Sequence, residues 1–116
     1  MQYMNNITEG TKRYTVFEIR NNNKKSKNYG RKIYIASASL TPERILSRIR
    51  SMQDSSTGKG GTKTLSKDIK ASGENYDEKF QVRVIKSDLS HEAAEDVKAK
   101  MVEKANKVYN QSIAVA

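Results

Sequence analysis

The sequence predicts an α+β domain, a small three-stranded antiparallel sheet flanked by about three helices in the order β-β-α-α-β-α. Three observations carry this. Residues 13–20 and 31–37 are rich in β-branched and aromatic side chains and flank a turn-rich segment. Residues 41–53 pair a helix start signal with apolar residues at helical spacing. Residues 79–85 alternate apolar with polar and precede a second helical stripe.

The elements follow in order. In the first strand Thr15, Phe17 and Ile19 share one face, and Tyr14, Val16 and Glu18 the other. Asn21 to Gly30 is a turn-rich loop with Lys24, Lys25 and Lys27 and no acid, so the two strands form a hairpin with a basic tip. In the first helix Thr41 stands at the cap, Pro42 suits the first helical position and Glu43 suits the positive end. Its stripe is Ile45, Leu46, Ile49 and Met52, with Arg44 and Arg48 one turn apart beside it. Residues 54–64 read as a Gly/Ser/Thr/Lys loop, Leu65 to Ala71 as a short helix, and Ser72-Gly73-Glu74-Asn75 as its break. In the third strand Phe80, Val82 and Val84 oppose Lys79, Gln81, Arg83 and Ile85. Asp88 or Ser90 caps a last helix running to about Tyr109, with Ala94, Val97, Met101, Ala105 and Val108 as its stripe. Residues 1–12 form a mobile N-terminal segment, 13–110 a single domain and 111–116 a tail.

At 116 residues the chain suits one domain. It has no cysteine and one histidine, His91, which excludes thiolate metal sites and disulfides and disfavours a Ser-His-Asp triad. His91 beside Glu92 reads as an exposed helix-start residue. No apolar run is long enough to span a bilayer, and Met1-Gln2-Tyr3-Met4-Asn5-Asn6 lacks the pattern of a signal peptide, so a cytoplasmic location is expected and no membrane partner.

The net charge is +9 and uneven, with 11 basic against 4 acidic residues in 1–58 and 11 against 9 in 59–116. Such asymmetry points to a bound polyanion, nucleic acid ahead of an anionic membrane or an acidic protein. Arg20 to Lys32 holds six basic residues around Tyr29. Lysines offer point charges to phosphates and a tyrosine can stack on an unpaired base; the same segment reads equally as a solvated tip. Gly58-Lys59-Gly60-Gly61-Thr62-Lys63-Thr64 is not a P-loop, because that motif places glycine directly before Lys-Ser/Thr and here Thr62 stands there.

Tyr34-Ile35-Ala36 on the second strand, Arg44 at the start of the first helix and Tyr109-Asn110 near the end form an ordered set, and with it the chain from about Tyr14 to Asn110 resembles the GIY-YIG endonuclease domain, especially in its phage homing-endonuclease versions. Tyr34-Ile35-Ala36 resembles the second-strand motif, and Arg44 stands eight residues after Ala36, where the family carries its helix arginine. Phe80 to Ile85 resembles the third strand, Leu89-Ser90-His91-Glu92-Ala93 the approach to the glutamate helix, and Tyr109-Asn110 the closing Tyr-Asn. There are departures. The first-strand motif reads Thr15-Val16-Phe17, without the tyrosine hydroxyl. Ala36 replaces the motif glycine. Arg48 stands where the family often has His or Tyr, and Lys98 where it has its metal-binding glutamate, unless a shifted alignment brings Glu95 or Asp96 there.

The resemblance implies a site in which Tyr34 positions or deprotonates water, Arg44 supplies a cation and Glu95 holds Mg²⁺. A lysine at the metal position repels Mg²⁺ instead. The expectation is therefore a nucleic-acid-binding protein, for DNA before RNA, on a degenerate GIY-YIG-like fold with lost or weakened cleavage. Its phosphate-contacting residues would be Lys24, Lys25, Lys27, Arg31, Lys32, Arg44, Arg48, Arg50, Lys59 and Lys63. Two alternatives stand beside it: an active Mg²⁺-dependent endonuclease, and a small phage protein that docks on a host protein. The sequence leaves the oligomeric state open.

Overall fold

The computed structural model describes residues 12–51 and 60–109. Strands β1 (Tyr14–Asn21) and β2 (Lys32–Ser37) are followed by helices α1 (Pro42–Ser51) and α2 (Gly60–Ala71). A single turn, α3 (Tyr76–Lys79), then leads into β3 (Phe80–Leu89) and α4 (His91–Lys104). The class and order are those the sequence predicts, with the short α3 added.

The sheet is antiparallel, in the order β2-β1-β3. Placing β1 in the centre explains why Val16, Phe17, Glu18 and Ile19 are all buried: helices cover both faces, so alternation no longer separates inside from outside. Phe17 and Ile19 lie opposite Ile35 and Ile33, and these four share one face. That face joins Ile45, Leu46, Ile49, Leu65 and Ile69 in the main core. Burying each such side chain contributes about 1.5–3 kcal/mol. Packing, rather than intrinsic propensity, therefore holds a helix as short as α1. The other face is covered by α4, which packs on β1 and β2. Val16, Ala94 and Val102 are its buried apolar residues.

Three boundaries differ from the sequence reading. The expected loop over 54–64 ends earlier, because α2 begins at Gly60. Leu65 and Ile69, both fully buried, anchor the helix and outweigh the poor propensity of its two leading glycines. Gly73, at φ +82, ends the same helix, its N–H bonded to the carbonyl of Lys70. Strand β3 runs past Ile85 to Leu89, bulging where the register against β1 shifts on either side of Val16. Beyond the bulge Asp88 takes φ 59, fastened by Arg13 Nε to its carboxylate at 2.8 Å. Of the two expected caps, Ser90 takes the role and accepts from the N–H of Ala93 at 3.1 Å.

The third difference is the end of α4. The helical stripe was expected to reach Tyr109, but Ala105 turns extended at ψ 148 and the chain runs along β2 instead. Lys32 N–H donates to the carbonyl of Lys107 at 3.1 Å, and Tyr109 N–H to that of Lys32 at 2.7 Å. This route carries Tyr109 into the core, where it is 2% exposed. Burial of a whole tyrosine offsets the lost helical turn. Met52, Lys59 and Asn110, with the expected mobile N-terminus and tail apart from Lys12, lie outside the described residues. Among the described residues no helix is long and apolar enough to cross a membrane.

Candidate nucleic-acid interface

The basic loop between β1 and β2 is built on a buried polar network. Asn21, the last residue of β1, is fully buried. Its Nδ2 donates to Ser26 Oγ at 3.1 Å and to the Tyr109 hydroxyl at 2.9 Å, and its Oδ1 accepts from Asn23 N–H at 2.8 Å. Tyr109 in turn donates to Asp68 Oδ2 at 2.6 Å, and Asn28 Nδ2 reaches the same oxygen at 2.7 Å. Asn23 Nδ2 bonds Ser72 Oγ at 3.0 Å. Burial, and next the bond to Asp68, push the Tyr109 phenol well above its ordinary value. Gly30 closes the loop at φ +87, its N–H on the carbonyl of Asn21. The tip thus stands on α2 and on the C-terminal segment, and is not a free hairpin end.

From this base Lys24, Lys25 and Lys27 project outward, exposed. A groove of about 440 Å³ lies between the loop and α2, lined by Lys25, Lys27 and Lys79 together with Asp68 and Ser72. A second hollow of about 280 Å³ adjoins it, lined by Lys24, Lys25 and Lys79 with Asn22 and Asn23. Among the described residues none of these four lysines forms an ion pair. The one acid in the groove, Asp68, is occupied by Tyr109 and Asn28.

The other expected contacts are dispersed. Arg44 and Arg48 are exposed on α1, and Lys63 is exposed in the first turns of α2. Arg31 is half-buried at the loop base. Arg50 is half-buried, its guanidinium stacked over Tyr76 at 5.0 Å, so it braces α1 rather than facing solvent. Lys32 leans toward Glu18, 4.0 Å from Oε1.

Glu18 centres a cluster that the sequence reading did not identify. It lies on the α4 face of β1, opposite Tyr34 on β2 and Arg83 on β3. Its carboxylate, 6% exposed, accepts from the Tyr34 hydroxyl at 3.1 Å and from Arg83 through Nη2 at 2.9 Å and Nε at 3.2 Å. Burial raises the pKa of Glu18, but the Arg83 bonds and charge, with Tyr34 and Lys32 assisting, outweigh it and hold the carboxyl below its usual value. Tyr34 is pushed up to about 12, first by burial and then by the Glu18 charge and hydrogen bond. A phenol so held keeps its proton at neutral pH and serves poorly as a base. Phe17, the other motif position, lies in the main core on the opposite sheet face.

On α4, Lys98 stands one turn from both Ala94 and Val102, in the stripe turned toward the sheet, and its side chain is 16% exposed. Glu95 is 44% exposed and pairs with Lys98 at 3.1 Å. An ammonium on that carboxylate opposes a divalent cation. Among the described residues no group of three or more His, Asp or Glu side chains converges as a metal site needs. The donor set at Glu95 does not fit the Mg²⁺ that the resemblance implies.

No family model, curated protein or solved structure matches this chain.

Sequence reasoning missed Glu18, Arg83, Asn21 and Asp68. A partial signal existed: hairpin alternation puts Glu18 on the face where a buried carboxylate requires a cation. The identity of that cation, 65 residues away, depends on how β3 pairs with β1.

Proposed function

We propose that this chain binds nucleic acid, DNA in the first place, mainly through the phosphate backbone, on a GIY-YIG-like fold whose cleavage is lost or weakened. One observation carries the reading: Lys24, Lys25 and Lys27 stand exposed and unpaired among the described residues, on a loop immobilised by the Asn21–Tyr109–Asp68 network. Pre-placed cations bind phosphates at a lower ordering cost than a mobile tail. The loss of cleavage is supported by Lys98 in the sheet-facing stripe of α4 and by Tyr34 committed to Glu18. The place of action in this reading is the cytoplasm, that of a bacterial host cell if the chain is of phage origin.

Fluorescence anisotropy with a short DNA duplex tests the binding. Affinity should fall steeply between about 50 and 200 mM salt, with a log–log slope that drops by about 1 for each phosphate contact removed. The Lys24→Gln/Lys25→Gln/Lys27→Gln variant should lower that slope by about 3. Supercoiled plasmid with Mg²⁺ should remain intact. Salt-independent binding, or no binding at low salt, overturns the reading. Nicking abolished by Glu95→Ala or Arg44→Ala would restore the active endonuclease in its place.

A further inference from the structure

A second cationic cleft lies on the other side of the hairpin. It has a volume of about 310 Å³ and is lined by Arg20, Gly30, Lys32, Ala105, Asn106 and Lys107. Three of the six lining residues are cations and none is an acid. Arg20 and Lys32 are direct cross-strand partners on the α4 face. Like charges placed opposite one another in an antiparallel pair destabilise it unless an anion compensates. The main-chain bond from Lys32 N–H to the Lys107 carbonyl, at 3.1 Å, brings a third cation to the same rim. This arrangement exists because α4 stops at Lys104 and the chain turns along β2. Lys32 Nζ lies 4.0 Å from the Glu18 carboxylate, which is already bonded by Arg83 and Tyr34.

We infer that this cleft is a phosphate site, with the guanidinium of Arg20 and the ammonium groups of Lys32 and Lys107 each facing a different oxygen. It rests on the function proposed above for the identity of its ligand, a backbone phosphate of the bound strand. Arg20 lies on the α4 face, whereas the loop lysines border the groove toward α2. A strand laid across the hairpin therefore meets cations on both sides. The rigid loop sets the spacing between the two contacts, and this fixes the orientation of the nucleic acid without reading its bases.

The test uses the full chain and the Arg20→Gln/Lys107→Gln variant, leaving Lys32 in place because it also faces Glu18. Two probes are compared: a fluorescein-labelled DNA duplex, and inorganic phosphate followed by amide chemical shifts. The duplex should bind the variant about tenfold more weakly, with a salt slope reduced by about 1. Phosphate should shift the amides of Gly30, Asn106 and Lys107 in the wild type and not in the variant, whose remaining spectrum should be unchanged. Equal duplex affinity and slope in both proteins, with no phosphate shift in the cleft, overturns the inference while the nucleic-acid reading stands. Phosphate shifts in the cleft without any duplex binding support the site and overturn the nucleic-acid reading instead.

Discussion

Tyr34 donates its hydroxyl to Glu18 across the β1–β2 pair at 3.1 Å, and the same carboxylate receives both Nε and Nη2 of Arg83 from β3. One buried acid thus ties together all three strands on the face beneath α4. Tyr34 is here a structural hydrogen-bond donor.

This arrangement gives stability an acid-side signature. Unfolded Glu18 takes its proton near the ordinary value of 4.5, whereas the folded carboxyl holds out to lower pH. Its contribution is complete above about 4.5 and is lost as pH falls through the folded value. Glu18→Gln should lower stability by about 1–2 kcal/mol at neutral pH, toward the low end because much of the Arg83 side chain faces solvent. It should also flatten the decline below pH 4.5. Urea unfolding from pH 3 to 7 measures both; an unchanged pH slope in the variant contradicts the role given to Glu18.

The tyrosines titrate in the opposite sense. Tyr34 holds its proton to about 12 in the folded chain against an ordinary 10, and Tyr109 is raised in the same direction. The unfolded chain releases these protons first, so stability declines as pH rises from 10 toward 12. Both should ionise above pH 10 in an absorbance titration followed alongside circular dichroism. Tyr34→Phe should remove one late-titrating group and cost about 1 kcal/mol. Ionisation of Tyr34 and Tyr109 near pH 10 in the folded protein would contradict the geometry.

Asn21 controls the order of the basic loop. Asn21→Ala removes donors to Ser26 and Tyr109 and the acceptor for Asn23 N–H, all within a buried site. The cost should be about 2–3 kcal/mol, because the partners left behind lose their hydrogen bonds away from water. Limited trypsin digestion should then cut faster after Lys24, Lys25 and Lys27 than in the wild type. Unchanged cleavage would mean that the loop is ordered by its backbone turns alone.

Much of the fold is legible in local pattern. The faces shared around Phe17 and the stripe Ile45, Leu46 and Ile49 depend on neighbours within a few residues and stand where the sequence places them, and the cap falls on Ser90, one of the two positions the sequence offers. Charge is legible in the same way: the lysines of 24–27 are exposed, because taking an unpaired ammonium out of water is costly.

What the tertiary structure alone decided are the pairings across distance. Asn21 meets Tyr109 at 88 residues' separation and Glu18 meets Arg83 at 65. Lys98, rather than Glu95, occupies the sheet-facing stripe of α4, and that helix stops short so that Tyr109 can enter the core. Periodicity tells which face a side chain shares, but a buried polar group is satisfied by whichever partner the strand register and chain path bring within about 3 Å. By itself the sequence determined a basic α+β domain with a cationic hairpin tip. Register and packing decided which charges are spent inside the fold and which remain exposed on its surface.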